Sequence, residues 1–156
     1  MINEVLWLVV LTLAPFLELR ASIPFGIFGT ELYWVSVFLI CAVTNIVLAP
    51  VLFIFYKYLI HLFLKINLIK RCYNKVVVRT QKKIQPYVEK YGTLGLAVFI
   101  GIPLPGSGVY SGVLGGELLG FEFKQIMVAS VIGVLIAASL VTLLSLTGYG
   151  FLVFLR

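Results

Sequence analysis

The sequence predicts an all-α integral membrane protein built as an inverted repeat, in which each half is a re-entrant helical hairpin followed by a transmembrane helix. Three observations support this prediction: the composition, two long stretches without charge, and a short motif that occurs twice. Of the 156 residues, 62% are hydrophobic and only 12% are charged, and the mean hydropathy is +1.12. A water-soluble domain carries about 25% charged residues. The composition therefore indicates a chain whose solvent is hydrocarbon.

Residues 5–30 are predicted to form the first re-entrant loop. The apolar stretch 5–17 is about 20 Å long as a helix, which is too short to cross a hydrocarbon core of about 30 Å. Glu18 and Arg20 follow this stretch, and Pro24 lies four residues beyond Arg20. Because charge is costly in hydrocarbon and proline disfavours a helix interior, we expect the helix to stop inside the membrane.

The first full span is predicted at residues 32–56, which contain no charged residue. As a helix this stretch is about 37 Å long, enough to cross the hydrocarbon core with some tilt. Pro50 is expected to kink it near its end.

Residues 57–90 are predicted to form a basic amphipathic helix that links the two halves in the cytoplasm. On a helical wheel its apolar side chains lie on one side and its basic side chains on the other, as in helices that lie on the anionic inner leaflet. The alternative is a topology signal with no further role. Nucleic-acid binding is not predicted, because aromatic side chains are not interleaved for base stacking. The segment holds nine of the twelve basic residues: Lys57, Lys65, Lys70, Arg71, Lys75, Arg79, Lys82, Lys83 and Lys90.

The second half is predicted to repeat this arrangement, with a re-entrant loop at residues 91–116 and a transmembrane helix at 125–155. The first of these stretches contains no charge, but Gly101–Gly108 (GIPLPGSG) cannot continue a helix. The second is also free of charge and is long enough to span a bilayer. Within it, Gly133 and Ala137 form a small-xxx-small pair that favours close packing of another helix.

A repeated motif relates the two halves. The sequence GIFGTEL at 26–32 recurs as GVLGGEL at 112–118, and each copy follows a proline-interrupted stretch and precedes a full span. If the basic linker is cytoplasmic, both termini lie outside and the two loops enter from opposite faces, meeting near the midplane. Broken helices in inverted repeats are typical of transport sites. The alternative is two kinked but complete spans.

The candidate site consists of residues at the tips of these two loops. Glu18 and Arg20 either form a structural ion pair or act in transport, with Arg20 binding an anionic headgroup and Glu18 exchanging a proton. The second tip offers backbone N–H groups, a hydroxyl and the positive end of a half-helix, which suit an anion. Tyr110, Thr44 and Asn45 are further candidates for the same cavity. The predicted binding residues are Glu18, Arg20, Ser22, Pro24, Pro103, Pro105, Gly106, Ser107, Gly108 and Tyr110.

Two runs carry a resemblance to a known family, namely residues 15–26 (PFLELRASIPFG) and residues 103–112 (PLPGSGVYSG). They resemble the small multidrug export protein family, and the resemblance covers most of the chain. That family is grouped with the DedA superfamily, so the resemblance implies two opposed re-entrant loops and the movement of lipids between leaflets, in some members with proton coupling. DedA proteins proper carry arginines in the second re-entrant region, whereas this chain has none between Lys90 and Lys124.

Three classes of function follow from these features. The leading prediction is a cell-membrane protein that moves phosphate-bearing lipid, either a phospholipid or a polyprenyl phosphate, between leaflets through a groove between the loops. The second is a proton-coupled exporter of drugs or cations that uses Glu18. The third is a membrane enzyme resembling polyprenyl-diphosphate phosphatases, which is disfavoured because the single histidine, His61, lies far from both loops. We predict membrane lipid as partner, a homodimer, and no metal or cofactor.

Overall fold

The computed structural model describes residues 2–15, 17–64, 91–103 and 107–154, with only the helical backbone described at 60–64 and 149–154. The described residues form six helices and no strand, so the prediction of an all-helical chain is confirmed. The predicted linker helix at 57–90 lies almost entirely outside the described residues. The helices are α1 (Ile2–Leu13), α2 (Glu18–Gly29), α3 (Trp34–Leu64), α4 (Tyr91–Gly101), α5 (Val109–Leu118) and α6 (Phe123–Phe154).

Two of these helices, α3 and α6, are long and apolar enough to cross a membrane. Each contains a 26-residue apolar stretch, Trp34–Leu59 and Phe123–Gly148, which as a helix is about 39 Å long. Their outward faces are also apolar, with Val43 and Val47 exposed on α3 and Leu143 and Leu144 exposed on α6. Water does not favour such an outer surface, whereas lipid tails do. The chain is therefore a membrane protein.

Both long helices differ from their predicted bounds for a local reason. Helix α3 continues past Lys57 to Leu64, because a charged side chain ends an apolar stretch without breaking backbone hydrogen bonds. Helix α6 begins at Phe123 instead of 125. The side-chain oxygen of Gln125 accepts the backbone N–H of Glu122 at 2.9 Å, which caps the first turn.

The first hairpin consists of α1 and α2, and its turn lies earlier than the sequence suggested. Helix α1 ends at Leu13, and the chain turns through Pro15 before α2 begins at Glu18. Pro24, which we had placed in the loop, lies inside α2. The turn forms at Pro15 because the ring fixes the backbone there and the amide nitrogen has no proton to donate.

The second hairpin consists of α4 and α5, which flank the sequence rich in proline and glycine. Helix α4 ends at Gly101 and α5 begins at Val109, and residues 104–106 between them lie outside the described residues. The turn therefore coincides with the segment where proline and glycine disfavour a helix.

The short helices of each half pack against the long helices of both halves. Helix α2 packs against α6 as well as α3, and α5 packs against α3 as well as α6. Glycines allow the helices to approach closely. A Cβ atom at Gly133 of α6 would lie 2.7 Å from the carbonyl oxygen of Ala97 in α4. The small-residue pair that begins at Gly133 therefore does receive another helix, as its spacing suggested.

Candidate functional site

Glu18 is the first residue of α2 and its carboxylate caps the start of α5. Oε2 accepts the backbone N–H of Val109 at 3.2 Å, and Oε1 accepts that of Tyr110 at 3.3 Å. These two N–H groups have no partner within their own helix, and the helix dipole favours a negative charge at this end. The side chain is buried, with 4% of its surface exposed. A carboxylate of the first half thus completes a helix of the second.

The backbone around this contact is unusual on both sides. Glu18 has a φ of 45°, and Gly108, the residue before α5, has a φ of 118°. Both values lie in the left-handed region, which costs about 1–3 kcal/mol for a residue with a side chain. A Cβ atom at Gly108 would lie 2.4 Å from Oε2 of Glu18. Glycine is therefore required for the carboxylate to reach the helix end.

Arg20 makes the reverse contact, with the end of α4. Its Nη2 donates to the carbonyl oxygen of Ile102 at 3.1 Å and to Oγ of Ser107 at 2.7 Å. The Ser107 hydroxyl donates in turn to the same carbonyl at 2.6 Å. A cation is favourable beside carbonyls at the C-terminal end of a helix. Arg20 and Ser107, both predicted to bind a headgroup, here also hold the second turn together.

Tyr110 adds a third contact between the halves. Its hydroxyl donates to the carbonyl oxygen of Leu13, the last residue of α1, at 2.5 Å. At membrane depth there is little water to satisfy a broken helix, so backbone groups at its ends need partners within the protein. Glu18, Arg20 and Tyr110 supply such partners across the two turns.

A pocket of about 240 Å³ opens beside these contacts. Among its described lining residues it presents one carboxylate, from Glu18, and no basic side chain. Two tyrosines, Tyr56 and Tyr110, lie close enough to Glu18 to interact with it electrostatically. A carboxylate flanked by tyrosines suits a cation better than an anion, because the aromatic faces and the carboxylate both attract positive charge. The lining residues are Pro15, Glu18, Tyr56, Ser107, Tyr110, Ser111 and Leu114.

The remaining predicted residues lie elsewhere. Ser22 and Pro24 are inside α2, and Ser22 is fully buried, donating to the carbonyl oxygen of Glu18 at 3.1 Å. They therefore do not lie at the tip of the first hairpin, where the sequence predicts them. Pro103 is described but does not line the pocket, whereas Pro105 and Gly106 lie outside the described residues.

Thr44 and Asn45, the two candidates on α3, do not line the pocket either. The Thr44 hydroxyl donates to the carbonyl oxygen of Ile40 at 2.7 Å, a bond within its own helix. Asn45 is fully buried and does not line this pocket.

Sequence reasoning missed four lining residues, namely Pro15, Tyr56, Ser111 and Leu114. Tyr56 lies beside Lys57, where an aromatic residue is usually an anchor at the membrane surface. Ser111 and Leu114 follow Tyr110 at helical spacing, so the start of α5 was the signal that would have found them.

Comparison with known proteins gives one match. A family model described as "Putative small multi-drug export protein" matches residues 18–140, which include helices α2 to α5, the second turn and the first part of α6. No curated protein and no solved structure matches the chain. The matched range covers more than half of the sequence, and it begins at the carboxylate that caps α5. The chain therefore belongs to the family of small multidrug export proteins.

Proposed function

We propose that this protein exports small organic cations, with Glu18 as the site that carries either the cation or a proton. The observation that supports this proposal is the pocket lined by the Glu18 carboxylate and the rings of Tyr56 and Tyr110. A volume of about 240 Å³ accommodates a small aromatic or quaternary ammonium cation. An export role also agrees with the family description.

The exchange rests on a competition for one carboxylate. Glu18 lies against two N–H groups of α5, and the Arg20 guanidinium is near enough to interact with it electrostatically. When a proton binds to Glu18, the attraction for a cation disappears; when a cation binds, the proton is displaced. The binding of the cation and the binding of the proton are thus coupled through one negative charge.

The proposed arrangement in the membrane is an inverted repeat. Hairpins α1–α2 and α4–α5 enter from opposite faces as re-entrant loops, and the basic linker 57–90 and both termini keep the sides expected from the positive-inside rule. Support comes from the antiparallel order of α3 and α6. The rings of Phe53, in the C-terminal half of α3, and Phe123, at the start of α6, lie 5.0 Å apart.

A second candidate is the movement of phosphate-bearing lipid, as in the DedA superfamily. The observation that favours it is the Arg20–Ser107 pair at the second turn, a cation and a hydroxyl separated by 2.7 Å. Such a pair binds phosphate well. Arg20 already donates to the Ile102 carbonyl, so a phosphate would have to replace that contact.

The two candidates are separated by one set of variants in proteoliposomes. For a cation exporter, Glu18→Gln is expected to lower ethidium export at least about tenfold, or ~1.4 kcal/mol, because the neutral amide neither binds the cation nor exchanges a proton. Glu122→Gln removes an exposed carboxylate outside the pocket and serves as the control. Unchanged export by Glu18→Gln, together with loss of fluorescent-phospholipid movement in Arg20→Gln, would favour the lipid candidate instead.

A further inference from the structure

The pocket beside Tyr56 gives access to Glu18, and buried polar side chains lie on another side of this residue. Tyr56 of the pocket lies towards the C-terminal end of α3. Towards the other end, α2 runs alongside α3, since a Cβ atom at Gly26 would lie 2.4 Å from Val37. Between these two points the protein interior contains several buried polar side chains, although apolar helices can pack without them.

Three of these groups form a connected cluster directly behind Glu18. The Thr12 hydroxyl donates to Oγ of Ser22 at 2.7 Å, and Ser22 donates to the carbonyl oxygen of Glu18 at 3.1 Å. The Cys41 thiol of α3 interacts with both hydroxyls. All three side chains are fully buried, so the cluster leads away from Glu18 into the protein interior.

Next to this cluster, the structure leaves polar groups without partners. Both amide atoms of Asn45 lack a hydrogen-bond partner among the described residues, as do the hydroxyls of Ser130 and Thr142. Asn45 is fully buried, and Ser130 is 1% exposed. A buried polar group without a partner costs about 1–3 kcal/mol, and Asn45 has two such atoms. In membrane helices such a cost is typical of positions that line ion or proton pathways.

The register of the long helices places these groups on one path. Since Phe53 meets Phe123, and the helices run antiparallel, Asn45 and Ser130 lie at about the same depth, eight and seven residues from that contact. Thr142 lies about 18 Å further along α6, towards the level of Trp34. Asn45 itself is about 16 Å from Tyr56 along α3. The unpartnered groups therefore extend from the depth of the Glu18 site to the end of α3 opposite the pocket.

We propose that water reaches Glu18 from the Trp34 end of α3 through a route, closed in this structure, that passes Asn45, Cys41 and Ser22. This inference rests on the proposed function and adds the second access that an exchange site needs. In the open route, water hydrogen-bonds to the Asn45 amide and to Ser130, and it carries the proton to or from Glu18. The closed route keeps the two sides of the membrane separate while the pocket is open.

Thiol labelling tests the route directly, because Cys41 lies on it. In a Cys72→Ser background, a small charged methanethiosulfonate reagent is expected to label Cys41 at least about tenfold faster during ethidium export than at rest. The control is Ala129→Cys in a chain without Cys41, since Ala129 is equally buried on α6. Labelling of Cys41 that does not accelerate, or that Ala129→Cys matches, would overturn the route.

A second measurement uses Asn45→Leu, which removes the unpartnered amide and keeps the number and branching of the heavy side-chain atoms. The variant is expected to unfold at the same or a higher temperature than the unmodified protein, and to export ethidium at least about tenfold more slowly. Normal export by Asn45→Leu beside an inactive Glu18→Gln would contradict the route alone. Normal export by Glu18→Gln would contradict the proposed function, whatever Asn45→Leu does.

Discussion

The two helix turns of this protein contribute different chemistry to one site. The first turn, at Pro15, supplies charged side chains, the carboxylate of Glu18 and the guanidinium of Arg20. The second turn supplies mainly backbone groups, namely the N–H of Val109 and the carbonyl of Ile102. Each charge lies beside the helix end of opposite polarity, so the two hairpins are complementary.

This difference shows how a broken helix is stabilised in a membrane protein without charges on both sides. Helix ends carry partial charges of about half a unit, positive at the N-terminus and negative at the C-terminus. One anion and one cation on the first turn satisfy both ends of the second. The second turn can therefore lack arginine and still be complete.

The largest stability effect is expected from Gly108→Ala. The new methyl group would lie 2.4 Å from Oε2 of Glu18, at a φ of 118°, so the carboxylate has to leave the α5 helix end. We expect the free energy of unfolding to fall by about 3 kcal/mol, measured by SDS titration of the detergent-solubilised protein.

The matched control is Gly115→Ala in the same helix, where a Cβ atom meets nothing within 4 Å. That variant is expected to gain up to about 1 kcal/mol, because alanine favours a helix. Equal effects at the two positions would show that the carboxylate does not depend on Gly108.

A smaller effect is expected from Arg20→Gln. The amide retains hydrogen-bonding atoms but loses the charge that binds the Ile102 carbonyl and Ser107. We expect a loss of about 2 kcal/mol in the same titration, typical of a hydrogen bond from a charged donor. Arg20→Lys, which keeps the charge, should recover part of it; no recovery would indicate that geometry and not charge matters at the second turn.

The smallest effect is expected from Tyr110→Phe. The ring stays in the pocket and the backbone N–H still binds Glu18, but the bond to the Leu13 carbonyl is lost. A destabilisation of about 1 kcal/mol is expected. Tyr33→Phe, at a residue exposed near the start of α3, is the control and should change little. A Tyr110→Phe effect no larger than that of Tyr33→Phe would show that α1 does not need this partner.

The sequence predicted the second turn well and the first less well, for a physical reason. At Gly101–Gly108, two prolines and three glycines leave no alternative to a break. The first segment offers both Pro15 and Pro24, and the choice between them depends on Tyr110 reaching Leu13 and Glu18 reaching Val109. These contacts join residues more than 90 positions apart, and local pattern carries no information about such pairs.

The sequence singles out the charged residues of the candidate site but not the groups that they contact. Glu18 and Arg20 were singled out because charges are rare in so apolar a chain and costly at membrane depth. Their partners were not, since backbone N–H and carbonyl groups belong to every residue and acquire a role only when a helix ends beside them. Tyr56 enters the pocket through the packing of α3 against α5, which is a tertiary contact.

The contacts of α2 with α6 and of α5 with α3 also constrain the order in which the protein can fold. As the chain leaves the ribosome, α1, α2 and α3 precede the helices that α2 and Glu18 require, since Val109 and α6 come later. A newly made first half therefore holds the Glu18 carboxylate without its N–H partners, and α2 without α6 beside it. Insertion factors in the membrane would have to shield that half until the second arrives, and neither half is expected to be stable when expressed alone.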